Sequence, residues 1–161
     1  MNTFKRIAQV LLVLSSSAGL AVQAGEAPRP DYGPDITIEA AKKIAAGVIA
    51  ECAANKWNVA VAVVNTHGSL VYYERMNNTQ SASARIAVDK ASAAAMYRRP
   101  TRAFVDAIAK TGPATMTLPG VVASPGGVPI MSGNRVIGGV GVSGVTGDQD
   151  EQCAKAGLGG A

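Results

Sequence analysis

The stretch VAVAVVNTHGSLVYYERM, residues 59–76, decides the fold of this chain of 161 residues. Its first part, residues 59–64, is a short run of valine and alanine, which is typical of a buried strand. Residues 66–69, Thr-His-Gly-Ser, have the composition of a turn, and residues 70–75 have that of a second strand. The stretch therefore predicts a β-hairpin.

Helical patterns surround this hairpin. Before it, apolar residues recur at helical spacing over residues 38–56, and Thr37 is placed to cap that helix. After it, residues 81–99 are rich in alanine and favour a helix that ends at Pro100, and residues 101–110 favour a shorter one. The many alanines predict thin helices that pack close to a sheet.

The last third of the chain carries the remaining strands. Residues 111–129 predict a long loop with at most a short strand at 121–124, and residues 128–131 and 135–143 predict two strands. The glycines of the last strand imply the close approach of another backbone or of a ligand: Gly138, Gly139, Gly141 and Gly144. The order of elements predicts an α+β fold, an antiparallel β-sheet flanked by helices.

The first 24 residues have the pattern of a secretory signal peptide, with basic Lys5 and Arg6, an apolar run at 7–14 and an Ala-Val-Gln-Ala cleavage signal. Residues 25–36 predict an extended lead-in, and residues 37–161 a single domain. Cleavage removes two of the 15 basic residues and none of the 11 acidic ones, so the net charge falls from +4 to +2. We expect a periplasmic or secreted protein with no integral membrane segment after cleavage and no nucleic-acid partner.

Composition excludes several classes of protein. A chain that is 48% hydrophobic and 16% charged is too apolar to be disordered. Two cysteines form neither a disulfide scaffold nor a four-thiolate zinc site. Cys52 and Cys153 lie in the first and last predicted helices, where export permits a disulfide, and the alternative is two buried thiols.

Four stretches together resemble the GlcG/HbpS family of haem-binding domains, which are similar to the C-terminal domain of PduO. They are VAVAVVNTHGSLVYYERM (59–76), IAVDKASAA (86–94), SPGGVPI (124–130) and VIGGVGVSGVTGDQDEQCAKAGL (136–158). The resemblance implies an antiparallel sheet with profilin-like layering, a homo-oligomer (a dimer or an octamer), and a haem or other tetrapyrrole ligand. Two carboxylates of the family pattern are replaced here, by Asn65 and by the Asn77-Asn78 turn.

Candidate haem ligands include His67, the only histidine of the chain. It is either an iron ligand, a general base or simply a polar turn residue. Met76 is a second candidate ligand, because iron also accepts methionine and tyrosine donors. Other methionines and tyrosines that either flank a haem or pack in the core are Met96, Tyr72, Tyr73 and Tyr97. Tyr72 and Tyr73 are neighbours on a strand, so we expect one in the core and one outside.

Candidate anion-binding residues are Arg75 and Lys90, which would hold haem propionates or a small acid. The alternative for both is an exposed charge or an ion pair, with Asp89, Glu74 or Glu151 as partner. Gly126 and Gly127 either present backbone N–H groups to an anion or form a simple turn.

The densest carboxylate group is Asp148, Asp150 and Glu151. Such oxygens suit a hard cation or ferric iron. The alternative is helix capping, since Asp148 and Glu151 have the spacing of a capping box at the start of a C-terminal helix.

The sequence supports three functions. The first is an exported, oligomeric haem- or tetrapyrrole-binding protein with a haem-handling or redox-sensing role. The second is a binding protein or enzyme for a small organic acid in an alcohol or acid oxidation pathway. The third is an assembly module whose ligand pocket has lapsed. No P-loop, dinucleotide fingerprint or HExxH motif points to a particular reaction, so enzyme activity stays open.

Overall fold

The computed structural model describes residues 28–159, so the predicted signal peptide lies outside the described residues. The strands are β1 (Ala60–Val64), β2 (Leu70–Arg75), β3 (Gly127–Ser132) and β4 (Arg135–Ser143). The helices are α1 (Ile38–Ala54), α2 (Ser83–Tyr97), α3 (Arg102–Thr111) and α4 (Gly147–Gly159), with a 3₁₀ helix at Pro113–Thr117.

All four strands form one antiparallel sheet in the order β2-β1-β4-β3. The first and second strands form the predicted hairpin, and the last two pair as the sequence predicts. Helices lie on both faces of this sheet, so the predicted α+β fold is confirmed.

Strand β1 is buried on both faces, and its alternation of valine and alanine matches the two layers. Val61 and Val63 point into the larger core, which α1 and α4 share. Ala60, Ala62 and Val64 point to the opposite face, where the alanines of α2 cover them. Valine side chains therefore fill the larger core, and the small side chains of Ala60 and Ala62 let a single helix lie close on the other side.

Helix α2 approaches the sheet so closely that β4 needs glycine beneath it. A Cβ atom built on Gly139 would lie 3.0 Å from the backbone nitrogen of Ala95. A Cβ atom on Gly141 would lie 2.5 Å from the nitrogen of Ala91 and would overlap the carbonyl oxygen of Ala87. At these two positions the close approach predicted from the glycines is therefore by another backbone.

On the opposite face, α1 and α4 are joined by a disulfide between Cys52 and Cys153, whose Cα atoms are 5.7 Å apart. The two helices also meet at paired glycines, since a Cβ atom on Gly47 would lie 3.0 Å from the Cα atom of Gly157. Of the two alternatives for the cysteines, the structure contains the bridge.

Reduction of this disulfide is expected to lower the free energy of unfolding by about 2–4 kcal/mol, because the bridge restricts the unfolded chain over a long loop. Denaturation with and without a reductant measures the change. The double variant Cys52→Ala/Cys153→Ala is the control, and its stability should not respond to the reductant. Free thiols in the purified protein, seen as no mass gain on reduction, would contradict the bridge.

The loop predicted after α3 contains no strand at residues 121–124, and a 3₁₀ helix at Pro113–Thr117 is its regular element. Two other local predictions are wrong. The capping box of α4 is formed by Thr146 and Gln149: the Gln149 N–H donates to Thr146 Oγ1 (3.4 Å), and the Thr146 N–H donates to Gln149 Oε1 (3.2 Å). Asp148 and Glu151 do not cap this helix because their carboxylates bind Arg102 instead.

The second wrong prediction concerns the tyrosine pair of β2. Tyr72 and Tyr73 do face opposite sides, but both are half-buried, each against a different core layer. Neither lies outside, because helices cover both faces of the sheet.

The segment before α1 is extended and runs along β4. Tyr32 forms a parallel bridge with Val136, and the Ile36 N–H donates to the Ile137 carbonyl at 2.9 Å. Thr37 then caps α1 as predicted, accepting a hydrogen bond from the Ala40 N–H at 3.3 Å. Within residues 28–159, no helix is both long and apolar enough to cross a membrane.

Candidate functional site

The six predicted ligand-binding residues lie at three separate places. His67 is in the turn between β1 and β2, and Arg75 and Met76 are at the opposite end of the same hairpin. Lys90 is in the middle of α2, beside the start of β3 where Gly126 and Gly127 lie. A single compact ligand cannot touch all of them within one copy of the chain.

The Lys90 side chain is only 2% exposed, and its ammonium is bound inside the fold. Nζ donates to Asp150 Oδ2 at 2.8 Å and to the Val142 carbonyl at 3.0 Å. Burial raises the pKa of the Asp150 carboxyl, although Lys90 and the backbone N–H groups of Val145 and Gly144 oppose this rise. The ion-pair alternative for Lys90 is therefore the one observed, with Asp150 as a partner that sequence reasoning missed.

The Gly126-Gly127 pair is packed against this lysine. The Gly127 N–H donates to Thr101 Oγ1 at 3.0 Å, so that N–H is already bonded within the protein. A Cβ atom on Gly126 would lie 2.9 Å from Lys90 Nζ. The two glycines give the chain room to pass α2.

The structure does not assemble the predicted metal site. Asp150 binds Lys90, whereas Asp148 and Glu151 both bind Arg102, and Glu151 also binds Lys155 at 2.7 Å. Burial opposes ionisation of Glu151, but the two cations hold the pKa of its carboxyl below the usual value. Among residues 28–159, no three side chains of His, Cys, Asp or Glu converge to hold a metal ion. The carboxylates instead tie α4 to α2 and α3.

At the far end of the hairpin, Arg75 is exposed and Met76 is half-buried against the larger core. The Met76 N–H donates to the Val59 carbonyl at 3.0 Å, which extends the pairing of the two strands at the open end of the hairpin. Asn78 has a φ of 62°, a left-handed conformation that glycine adopts readily and asparagine tolerates. Asparagine therefore meets the backbone requirement of this turn.

His67 is exposed and opens onto a surface cleft of about 380 Å³. The other lining residues come from the lead-in segment, the hairpin turn and the end of α2: Tyr32, Gly33, Thr66 and Met96. Met96 is 54% exposed and also lines a neighbouring cleft of about 270 Å³, in which Val121 and Val122 supply apolar surface. The two clefts thus meet at Met96.

The walls of the His67 cleft are tied together by hydrogen bonds. The Tyr32 hydroxyl donates to the Met96 carbonyl at 2.8 Å, and the guanidinium of Arg98 lies 5.1 Å from the centre of the Tyr32 ring. On the hairpin side, Ser92 Oγ donates to the Gly68 carbonyl at 3.0 Å. A Cβ atom on Gly68 would lie 2.9 Å from Met96 Sδ, so the thioether packs against the turn that carries His67.

An imidazole and a thioether are both donors that haem iron accepts, and here they line one cleft. The donor chemistry of the cleft therefore fits a haem. Both residues are candidates from the sequence alone, but the sequence does not place them together and does not reveal Tyr32. The three residues are 29 or more positions apart in the chain, and no local pattern connects them.

Sequence comparisons with known proteins identify the relatives of this chain. The family model described as haem degrading protein HbpS-like matches residues 36–159. Protein GlcG of Escherichia coli (strain K12) is 37% identical over 106 residues, which cover 63% of this chain and 79% of that protein. An uncharacterized 15.0 kDa protein from the dhaT-dhaS intergenic region of Citrobacter freundii is 33% identical over 127 residues, 76% of this chain and 89% of its own.

Solved structures of similar proteins have the same fold as this chain. A double mutant of HbpS from Streptomyces reticuli superposes with a TM-score of 0.74 at 30% identity, covering 89% of this chain and 97% of that one. A crystal structure of a PduOC:heme complex superposes with a TM-score of 0.72 over 79% of this chain and 95% of that one, and at 22% identity it shows the shared fold alone. The resemblance found in the sequence is confirmed: the chain is similar to GlcG and belongs to the HbpS-like family.

Proposed function

We propose that this protein binds haem in the cleft between the hairpin turn and the end of α2, with His67 as the ligand of the iron. The observation that carries the proposal is the meeting of the exposed His67 and Met96 in one cleft. Membership of a family described as haem degrading supports it, and a solved structure of the same fold is a PduOC:heme complex.

The residues around the two clefts suit a flat ligand that has an apolar body and a metal centre. The turn presents the imidazole, and Met96 supplies a polarisable side chain next to it. Val121 and Val122 extend the apolar surface beyond Met96, in the neighbouring cleft that Arg85 and Asp89 also line. A haem bound there would supply an iron for His67 to coordinate and would leave the apolar part of its ring to Met96, Val121 and Val122.

We further propose that the protein works outside the cytoplasm as a homo-oligomer, a dimer or an octamer, in haem handling or redox sensing. The Cys52–Cys153 disulfide supports export, because such bridges persist in oxidising compartments. The signal-peptide pattern of residues 1–24 supports the same location.

A haemin titration tests haem binding directly. We expect the wild-type protein to shift the Soret band at micromolar haemin and to saturate at one haem per cleft. Protoporphyrin IX without iron should bind more weakly, because it cannot coordinate His67. An unchanged Soret band would reject the proposal. Thermal stabilisation by small organic acids but not by haemin would instead favour the second function, a binding protein or enzyme for such an acid.

Substitution of His67, the proposed iron ligand, tests which residue binds the iron. We expect His67→Ala to weaken haemin binding on the order of 100-fold, or about 2.7 kcal/mol, because the iron loses its protein ligand. The matched control is Ser69→Ala, an exposed residue of the same turn that does not line the cleft. Equal haemin affinities for the two variants would show that His67 is not the ligand.

A further inference from the structure

We infer that Asp35 is the positioning residue that holds the His67 turn in the shape that presents the imidazole to the iron. This inference rests on the proposed function, since it assigns a second residue to the same site. Nothing in the sequence marked Asp35, which lies 32 positions before His67 in the lead-in segment.

The Asp35 carboxylate is the external anchor of the turn. Oδ1 accepts hydrogen bonds from Thr66 Oγ1 at 2.5 Å and from the Thr66 N–H at 3.0 Å. Oδ2 accepts from Asn65 Nδ2 at 3.3 Å. Three donors from the two residues that precede His67 therefore converge on one carboxylate.

Asn65 carries this constraint through the turn. Its Oδ1 accepts from the His67 N–H at 3.0 Å and from the Ser69 N–H at 2.9 Å, while its amide nitrogen is bound to Asp35. An ionised aspartate at position 65 would repel Asp35, whereas the amide of asparagine donates to it. The residue that departs from the family pattern is thus complementary to Asp35.

Asp35 is itself held by the sheet. The Gly33 N–H donates to the Val136 carbonyl at 2.8 Å, and the Ile36 N–H donates to the Ile137 carbonyl at 2.9 Å. In the same segment, the Tyr32 hydroxyl binds the Met96 carbonyl on the other wall. A segment fixed to β4 therefore sets the positions of both walls of the cleft.

The charge of Asp35 suits this role. The Thr66 hydroxyl, and after it the Thr66 backbone N–H, lower the pKa of the Asp35 carboxyl, with burial acting weakly in the opposite direction. The carboxylate is therefore ionised at neutral pH, and an ionised acceptor makes the stronger hydrogen bonds.

The test compares haemin binding among variants of the anchor. We expect Asp35→Asn and Thr66→Val to weaken haemin binding about tenfold, the lower end of the effect seen when a residue that orients a metal ligand is replaced. At saturating haemin, both should show a larger high-spin fraction in the absorbance spectrum, because a misplaced imidazole coordinates the iron less often. Thr66→Ser keeps the hydroxyl and should restore both readouts.

Asp31→Asn is the matched control, since it removes a carboxylate from the same segment without touching the turn. Thermal melting of each apo variant separates loss of positioning from loss of folding, and a folded Thr66→Val carries the test if Asp35→Asn does not fold. If His67→Ala weakens haemin binding but Asp35→Asn and Thr66→Val do not, this inference is overturned and the proposed function stands. If the wild-type protein itself fails to bind haemin, both are overturned.

Discussion

Replacement of Gly141 by alanine is expected to destabilise the fold severely. Gly141 lies in β4 and pairs with Ala62 on one side and Gly127 on the other, so it sits in the middle of the sheet. The added Cβ atom would lie 2.5 Å from the Ala91 nitrogen and overlap the Ala87 carbonyl oxygen. Both are backbone atoms of α2, and relief requires the whole helix to move.

Overpacking in a core typically lowers the free energy of unfolding by about 1–3 kcal/mol. A clash with the backbone of a helix cannot be relieved by one side chain, so we expect a larger loss for Gly141→Ala, about 4 kcal/mol or more. Such a loss is a large part of the total stability of a small domain, which is about 5–15 kcal/mol. Urea denaturation measures it. Gly159→Ala at the end of α4, where no atom lies within 4 Å of the added carbon, is the control. Equal midpoints for the two variants would contradict the close packing of α2.

The second large effect is expected for Lys90→Met. Methionine keeps the volume of the stem but removes the ammonium, which leaves the Asp150 carboxylate without its cation in the interior. Breaking a buried ion pair by removing one partner costs about 3–5 kcal/mol, because the remaining charge stays desolvated. Denaturation at neutral pH should show this loss.

The stability loss caused by Lys90→Met should depend on pH, because it arises from the charge of Asp150. Burial already raises the pKa of the Asp150 carboxyl, and without Lys90 this rise is no longer opposed by a cation. A carboxyl with a higher pKa in the folded state than in the unfolded state favours folding when protonated and disfavours it when ionised. The deficit of Lys90→Met should therefore be greatest at neutral pH and shrink as the pH falls.

A double variant tests whether the unpaired charge of Asp150 causes the stability loss of Lys90→Met. Lys90→Met/Asp150→Asn removes both ions, so it should recover part of the stability that Lys90→Met loses at neutral pH. A double variant that is less stable than Lys90→Met at every pH would contradict an unpaired Asp150 charge as the cause.

Much of the fold could be predicted because local patterns specify it. The valine and alanine run of β1 is buried on both faces, and the glycines of β4 lie under an alanine helix, so pattern and packing agree. The start of α4 was misplaced because two overlapping capping boxes are possible there, Thr146 with Gln149 and Asp148 with Glu151. Arg102, which lies 46 residues before Asp148, binds the carboxylates of Asp148 and Glu151, so the box of Thr146 and Gln149 forms instead. No local sequence pattern reveals this contact.

The site was less predictable because its residues come from distant parts of the chain. His67 was a candidate as the only histidine, but its neighbours Tyr32 and Met96 and its anchor Asp35 are brought to it by the path of the lead-in segment along β4. Lys90 looked available for an anion because its partner Asp150 lies 60 positions away. In both cases tertiary contacts, and not the local sequence, determine which side chains are open to a ligand.

Haem ligation by His67 is tested most simply by the absorbance spectra of the wild-type and His67→Ala proteins, isolated side by side from the exported fraction of the same expression host. We expect a Soret band for the wild-type protein that is lost or shifted to a high-spin form in the variant. An absent Soret band in the wild-type protein, or the same low-spin spectrum from both proteins, would contradict haem ligation by His67.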